Sequence, residues 1–81
     1  MQRIEIIAPL PGIFYRRPSP ESEDFKKEGD HVGIGDTICL IEVMKTFNHI
    51  ESEVDGALVN YLLDNEEPVM VGQVIAIIEI L

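Results

Sequence analysis

Cysteine is nearly absent from the chain, which carries only Cys39. A lone cysteine rules out an internal disulfide and points to a reducing compartment, with Cys39 itself a small buried hydrophobe. Positive charge is also scarce: 15 acidic residues stand against 6 basic ones, for a net charge of -9. Such a surface repels phosphate backbones and anionic lipid, so neither nucleic acid nor membrane is an expected partner. Long apolar runs are missing. The stretch Val74 to Ile78 is too short to span a bilayer, and the first residues lack a signal-peptide core. These absences predict a soluble, cytoplasmic protein.

The chemistry of common active sites is missing as well. His31, His49 and Cys39 do not fall at metal-ligand spacing, so no metal is expected. Ser19 has no histidine placed for a triad, and no glycine-rich phosphate loop occurs. Glu51 and Glu53 alternate with Ile50 and Ser52, a pattern that decorates one strand face rather than a cleft. No catalytic residue is assigned.

What remains is strand and turn. The 81 residues, 46% of them hydrophobic, suit one small domain over 1–81. Short apolar runs at Arg3–Ile7, Ile13–Tyr15, Thr37–Val43, Phe47–Ser52, Ala57–Leu63 and Val74–Ile80 read as strands. Between them lie Pro11-Gly12, Gly29-Asp30, Gly35-Asp36, Asp55-Gly56 and Asp64-Asn65, which read as turns. Gly35, Gly56 and Gly72 are all expected at turns. Residues 21–28 read as loop.

The chain also repeats itself. Gly35-Asp-Thr-Ile-Cys-Leu-Ile-Glu42 resembles Gly72-Gln-Val-Ile-Ala-Ile-Ile-Glu79, 37 positions on, and Val32 falls on Val69. Pro11-Gly12-Ile13 resembles Asp55-Gly56-Ala57, 44 positions on. The first half therefore holds seven extra residues between Gly12 and Val32. Two similar β halves, each too small to bury its own apolar face, predict a pseudo-two-fold sandwich. The extra segment contains Arg17-Pro18-Ser19-Pro20-Glu21, stiffened by two prolines.

The halves meet at Glu42-Val43-Met44-Lys45-Thr46-Phe47. Strands on either side leave only Met44-Lys45 for the turn. Two-residue hairpin turns need positive φ and favour Asn, Asp or Gly, so a turn built on this pair is either strained or wrongly placed. Lys45 is then an exposed amine at a rigid tip. An exposed lysine is protonated at neutral pH, so any enzyme modifying it must supply an activated acyl group and remove a proton.

Ile41-Glu42-Val43-Met44-Lys45 resembles the biotinyl-lysine motif of biotin-dependent carboxylases, in which methionine precedes the modified lysine. Ala8-Pro9-Leu10-Pro11-Gly12-Ile13-Phe14-Tyr15-Arg16 is similar to the opening segment of the biotin carboxyl carrier proteins of multisubunit acetyl-CoA carboxylase. Pro18-Ser19-Pro20 followed by Phe25 resembles their protruding thumb, and Asn48-His49-Ile50-Glu51 also fits. Val43 stands where the family usually has alanine, and Thr46 and Phe47 where it has methionine.

The resemblance implies an all-β fold. This is a flattened barrel or sandwich of two four-stranded antiparallel sheets with a thumb-like insertion. It implies biotin covalently attached to Lys45, with Met44, Glu42, Val43 and Thr46 around the attachment point and the thumb, Arg17 to Glu21, beside the biotin. It implies a non-catalytic carrier that accepts a carboxyl group at a biotin carboxylase and delivers it to a carboxyltransferase, converting acetyl-CoA to malonyl-CoA for fatty acid synthesis. Biotin protein ligase is the third implied partner. Met44 is expected to pack beside the tip, and Glu42 to keep the hairpin edge charged. A lipoyl-type acyl carrier, which usually has aspartate before its lysine, and an unmodified adaptor of the same fold are the alternatives.

Overall fold

The computed structural model describes residues 2–80, which form eight strands: β1 (Gln2–Ile7), β2 (Gly12–Tyr15), β3 (His31–Val32), β4 (Thr37–Val43), β5 (Thr46–Glu51), β6 (Gly56–Tyr61), β7 (Glu67–Val69) and β8 (Val74–Ile80). They make two antiparallel four-stranded sheets, ordered β1-β8-β6-β3 and β5-β4-β2-β7. Adding four to each strand number turns one sheet into the other, which is the pseudo-two-fold predicted from the repeat. No helix is long and apolar enough to cross a membrane.

The symmetry reaches single hydrogen bonds. Gly35 N donates to Ser52 O at 2.8 Å, and Gly72 N to Ala8 O at 2.8 Å. Gly33 N donates to Asp36 Oδ2 at 2.8 Å, and Met70 N to Gln73 Oε1 at 2.9 Å. Gly35 (φ 89°) and Gly72 (φ 85°) occupy matching left-handed positions, where a Cβ would be strained.

Two expectations are corrected. Asp55-Gly56 and Pro11-Gly12 read as turns, yet Gly56 opens β6 and Gly12 opens β2. Their role is close approach between strands. A Cβ on Gly12 would collide with the carbonyl oxygen of Glu42 and sit 2.8 Å from Ile41 Cγ2. On Gly56 it would collide with the carbonyl of Glu79 and sit 2.9 Å from Ile78 Cγ2. β3 and β7, of two and three residues, complete the two four-stranded sheets that the resemblance implies, although the apolar runs did not mark them. Runs so short carry no periodicity of their own.

Inside, Phe14, Cys39, Ile41, Val69 and Ile75 form one buried cluster with Ala8, Ile50 and Leu63, and Val32, Ile38, Leu58, Ala76 and Ile78 form a second. Ile6 and Tyr61 pack against both. Each fully buried isoleucine contributes about 1.5–3 kcal/mol, so a handful of them sets the stability of a domain this thin. Tyr61 spans the layers: its hydroxyl donates to Ile38 O at 2.7 Å, and its ring meets Phe14 at 5.9 Å between centroids.

Candidate functional site: a lysine-bearing hairpin

β4 and β5 run in register from Ile41↔Asn48 through Glu42↔Phe47 to Val43↔Thr46, leaving Met44 and Lys45 as a two-residue turn. Both turn residues are left-handed, Met44 at φ 50° and Lys45 at φ 66°. Positive φ at both central positions is the I′ arrangement that matches the twist of a hairpin. Of the two readings open from the sequence, a strained turn and a misplaced one, the structure has the first. Pairing of β4 to β2 on its other side fixes the hairpin in the sheet.

Side chains around the tip divide by face. Val43 points inward and packs against the larger core cluster. Met44 does not pack beside the tip as expected; it projects into solvent, 93% exposed. An I′ turn aims its side chains away from both strands, which leaves Met44 nothing to cover. Lys45 and Thr46 are exposed too, and Lys45 makes no ion pair among the described residues.

Glu42 is more than an edge charge. Tyr15 OH donates to its Oε1 at 3.1 Å, tying β4 to the end of β2. The Tyr15 and Phe47 rings sit 5.8 Å apart, tilted by 60°. Loss of hydration first, then the Glu42 hydrogen bond and the charges of Glu42 and Glu66, raise the Tyr15 pKa above that of a free phenol. Asn48 Nδ2 donates to Ile41 O at 3.2 Å and to Thr46 O at 3.4 Å, bracing the hairpin root.

The extra segment projects between β2 and β3 and closes at its base. Phe25 N donates to Arg16 O at 2.8 Å, and Arg17 Nη2 meets Asp24 Oδ1 at 3.1 Å. Arg16 reaches across to the other half, where Nη2 donates to Leu63 O at 3.1 Å and Asp64 Oδ1 at 3.0 Å. Its own N–H donates to Asn65 Oδ1 at 2.7 Å, and its guanidinium lies 5.1 Å from the Tyr61 ring centre. A concavity of about 360 Å³ opens between this segment and the hairpin face, lined by Tyr15, Arg17, Pro18, Ser19, Pro20, Phe47, Asn65 and Glu66. Four of the five expected thumb residues line it, and Glu21 does not.

A hairpin amine held clear of two related halves is a place that could carry a covalent group. The profile of a family described as biotin-requiring enzyme matches residues 4–78. The chain belongs to that family. Among relatives of this biotin-requiring family, the biotin carboxyl carrier protein of acetyl-CoA carboxylase from Nostoc sp. is 42% identical over 69 residues, covering 85% of this chain and 38% of the relative. The protein of the same name from Pseudomonas aeruginosa is 44% identical over 66 residues, covering 82% of this chain and 42% of the relative. The chain thus spans less than half the length of either. In structure it is similar to part of Kluyveromyces lactis urea carboxylase, with TM-score 0.79 and 25% identity over 98% of this chain and 6% of that one.

For this member of the biotin-requiring family, the sequence located the tip but missed its supports. Among these supports, Tyr15, Asn48, Arg16, Asp24 and Asn65 were not singled out as site residues. Apart from the bond of Asn48 to Thr46, two positions away, their side-chain contacts cross 7 to 49 positions of chain, and residue type at such separations carries no local signal. A biotinyl group fits the tip: Lys45 offers a free amine, and the turn around it is open to solvent.

Proposed function

We propose that this chain is a biotin carboxyl carrier domain in which biotin is joined by an amide bond to Nζ of Lys45. The observation that carries the reading is the exposed Lys45 amine, second in a left-handed two-residue turn and preceded by Met44. Biotin, when bound, supplies a ring nitrogen that can take up and release a carboxyl group. The protein's own residues do the positioning. The paired strands β4 and β5 hold the attachment point rigid, Tyr15 and Asn48 brace them, and the arm itself stays free to swing. Such a tether raises the local concentration of its cargo at each site it can reach.

The named relatives support a place in acetyl-CoA carboxylase. We assign biotin protein ligase, biotin carboxylase and a carboxyltransferase as partners, malonyl-CoA for fatty acid synthesis as the product of the assembly, and the cytoplasm as its location. The chain itself breaks no bond in this scheme. The thumb residues Arg17, Pro18, Ser19, Pro20 and Glu21 are assigned to shelter the arm, and Met44, Glu42, Val43 and Thr46 to present the lysine.

Co-expression with a biotin protein ligase tests this directly. Mass spectrometry should find one biotin on the peptide containing Lys45 and none on a Lys45→Arg variant. A chain that stays unmodified, or that takes lipoate in preference to biotin, is not a biotin carrier.

A further inference from the structure

The internal repeat supplies a control for one residue outside the hairpin. Glu66 is left-handed, at φ 67°. Its counterpart, 37 positions earlier, is Gly29 at φ 88°. The two do the same backbone work: Gly29 N donates to Leu58 O at 2.8 Å, and Glu66 N to Phe14 O at 2.7 Å. Leu58 and Phe14 are themselves counterparts. Glycine therefore serves this position in the same molecule, without the Cβ strain that glutamate accepts. The backbone gives no reason for glutamate here, so the reason lies in the side chain.

That side chain has no internal use. It is exposed, and its carboxylate makes no hydrogen bond or ion pair among the described residues. It borders the concavity between the inserted segment and the hairpin, opposite the rings of Tyr15 and the half-exposed Phe47. The residues that line this concavity have different counterparts in the other half. There Val59 replaces Tyr15, Arg3 replaces Phe47 and pairs with Glu79 at 3.3 Å, and the insertion is missing.

We propose that Glu66 is kept for its carboxylate, as the contact that receives a basic side chain of the biotin protein ligase when that enzyme closes over Lys45. The inference rests on the carrier reading above and adds a recognition residue to it. The ligase is the partner because of reach. The carboxylating enzymes meet a cargo extended on the order of a nanometre from the backbone, a span of about ten bonds. The ligase must bring its acyl group within bonding distance of the Lys45 amine, so its surface meets the hairpin, whose Phe47 also lines the concavity. A carboxylate there steers and orients a cationic surface, an effect seen in encounter and in KM rather than in the chemical step.

Steady-state biotinylation of the purified apo chain by a biotin protein ligase tests this, using Glu66→Gln and Glu66→Gly. Both variants should raise KM for the chain about two- to fivefold with kcat unchanged, and the difference should fade in about 0.5 M NaCl. Glu66→Gly should also raise the melting midpoint by about 4–8 °C, while Glu66→Gln should not. A KM unchanged in both variants, or a glycine variant no more stable than the parent, overturns the proposal. Wild-type chain modified at Lys45 alongside unaffected variants overturns this inference alone. Wild-type chain that never accepts biotin overturns the carrier reading, and this inference with it.

Discussion

Met44 holds a backbone conformation that asparagine or glycine takes at lower cost. A residue with a Cβ in the left-handed region is strained by about 1–2 kcal/mol, and asparagine recovers part of that by local hydrogen bonding. Met44→Asn should therefore stabilise the chain by about 0.5–1 kcal/mol, read as a higher melting temperature, while slowing biotinylation of Lys45. A variant that is both less stable and modified at the parental rate would separate methionine from both roles. Cys39 makes a second case at this scale. It is fully buried, and loss of hydration pushes its thiol pKa up from 9.0 to about 12. The folded state thus favours the neutral thiol. Stability is complete below pH 9 and falls as pH rises toward 12, where the unfolded chain ionises first. One such group gives a slope of about 1.4 kcal/mol per pH unit within that window. Denaturant melts of wild type and Cys39→Ala across pH 8 to pH 12 should show the alanine variant losing less stability, by about that slope.

Strands impose their own demands. Gly56 stands against Glu79 and Ile78 where β6 enters its sheet, as Gly12 stands against Glu42 and Ile41 where β2 does. A methyl group at either point has to push aside a backbone carbonyl, and backbone does not rotate away as a flexible side chain does. Gly56→Ala should cost about 1–3 kcal/mol or more, enough in a small domain to lower the urea midpoint markedly. An alanine variant with wild-type midpoint would mean that the strands separate easily there. This glycine also shows why the sequence was legible only in part. Asp55-Gly56 has the composition of a turn, and nothing local separates a glycine needed for positive φ from one needed for close approach. The long strands were readable because β-branched runs such as Val74-Ile75-Ala76-Ile77-Ile78 advertise themselves. The turn at Lys45 was readable because one such run, Thr37 to Val43, ends just before it and the internal repeat marks the junction there. β3, β7 and the Arg16 anchorage were not, since their reasons for existing lie on other strands. Glu66 became visible only when its φ could be set beside that of Gly29.

The described strands are one half used twice, and Gln2 of β1 faces Ile80 of β8 where symmetry puts a hairpin. Gln2 pairs with Ile80 as Thr46 pairs with Val43, at the same offsets of 44 and 37. Two residues joining Ile80 to Gln2 therefore have the register of the Met44-Lys45 turn. A head-to-tail cyclised chain with Asn-Gly in place of Leu81 and Met1 should close as an I′ turn without distorting β1 or β8. Closing a loop of this length should add about 4 kcal/mol by lowering the entropy of the unfolded state. A cyclised chain no more stable than its linear form would deny that Ile80 and Gln2 can flank a hairpin turn. The same closure made with Met-Lys sets a sharper question, because it offers the ligase a second lysine on a second paired turn. That turn has Gly29 where the first has Glu66, and it has no inserted segment beside it. If the ligase reads the face next to the lysine as well as the turn, the new lysine should take biotin more slowly than Lys45, as peptide mass spectrometry over a time course can count. Equal rates at the two tips would show that the turn alone suffices, and that the asymmetry between the halves serves some step after attachment.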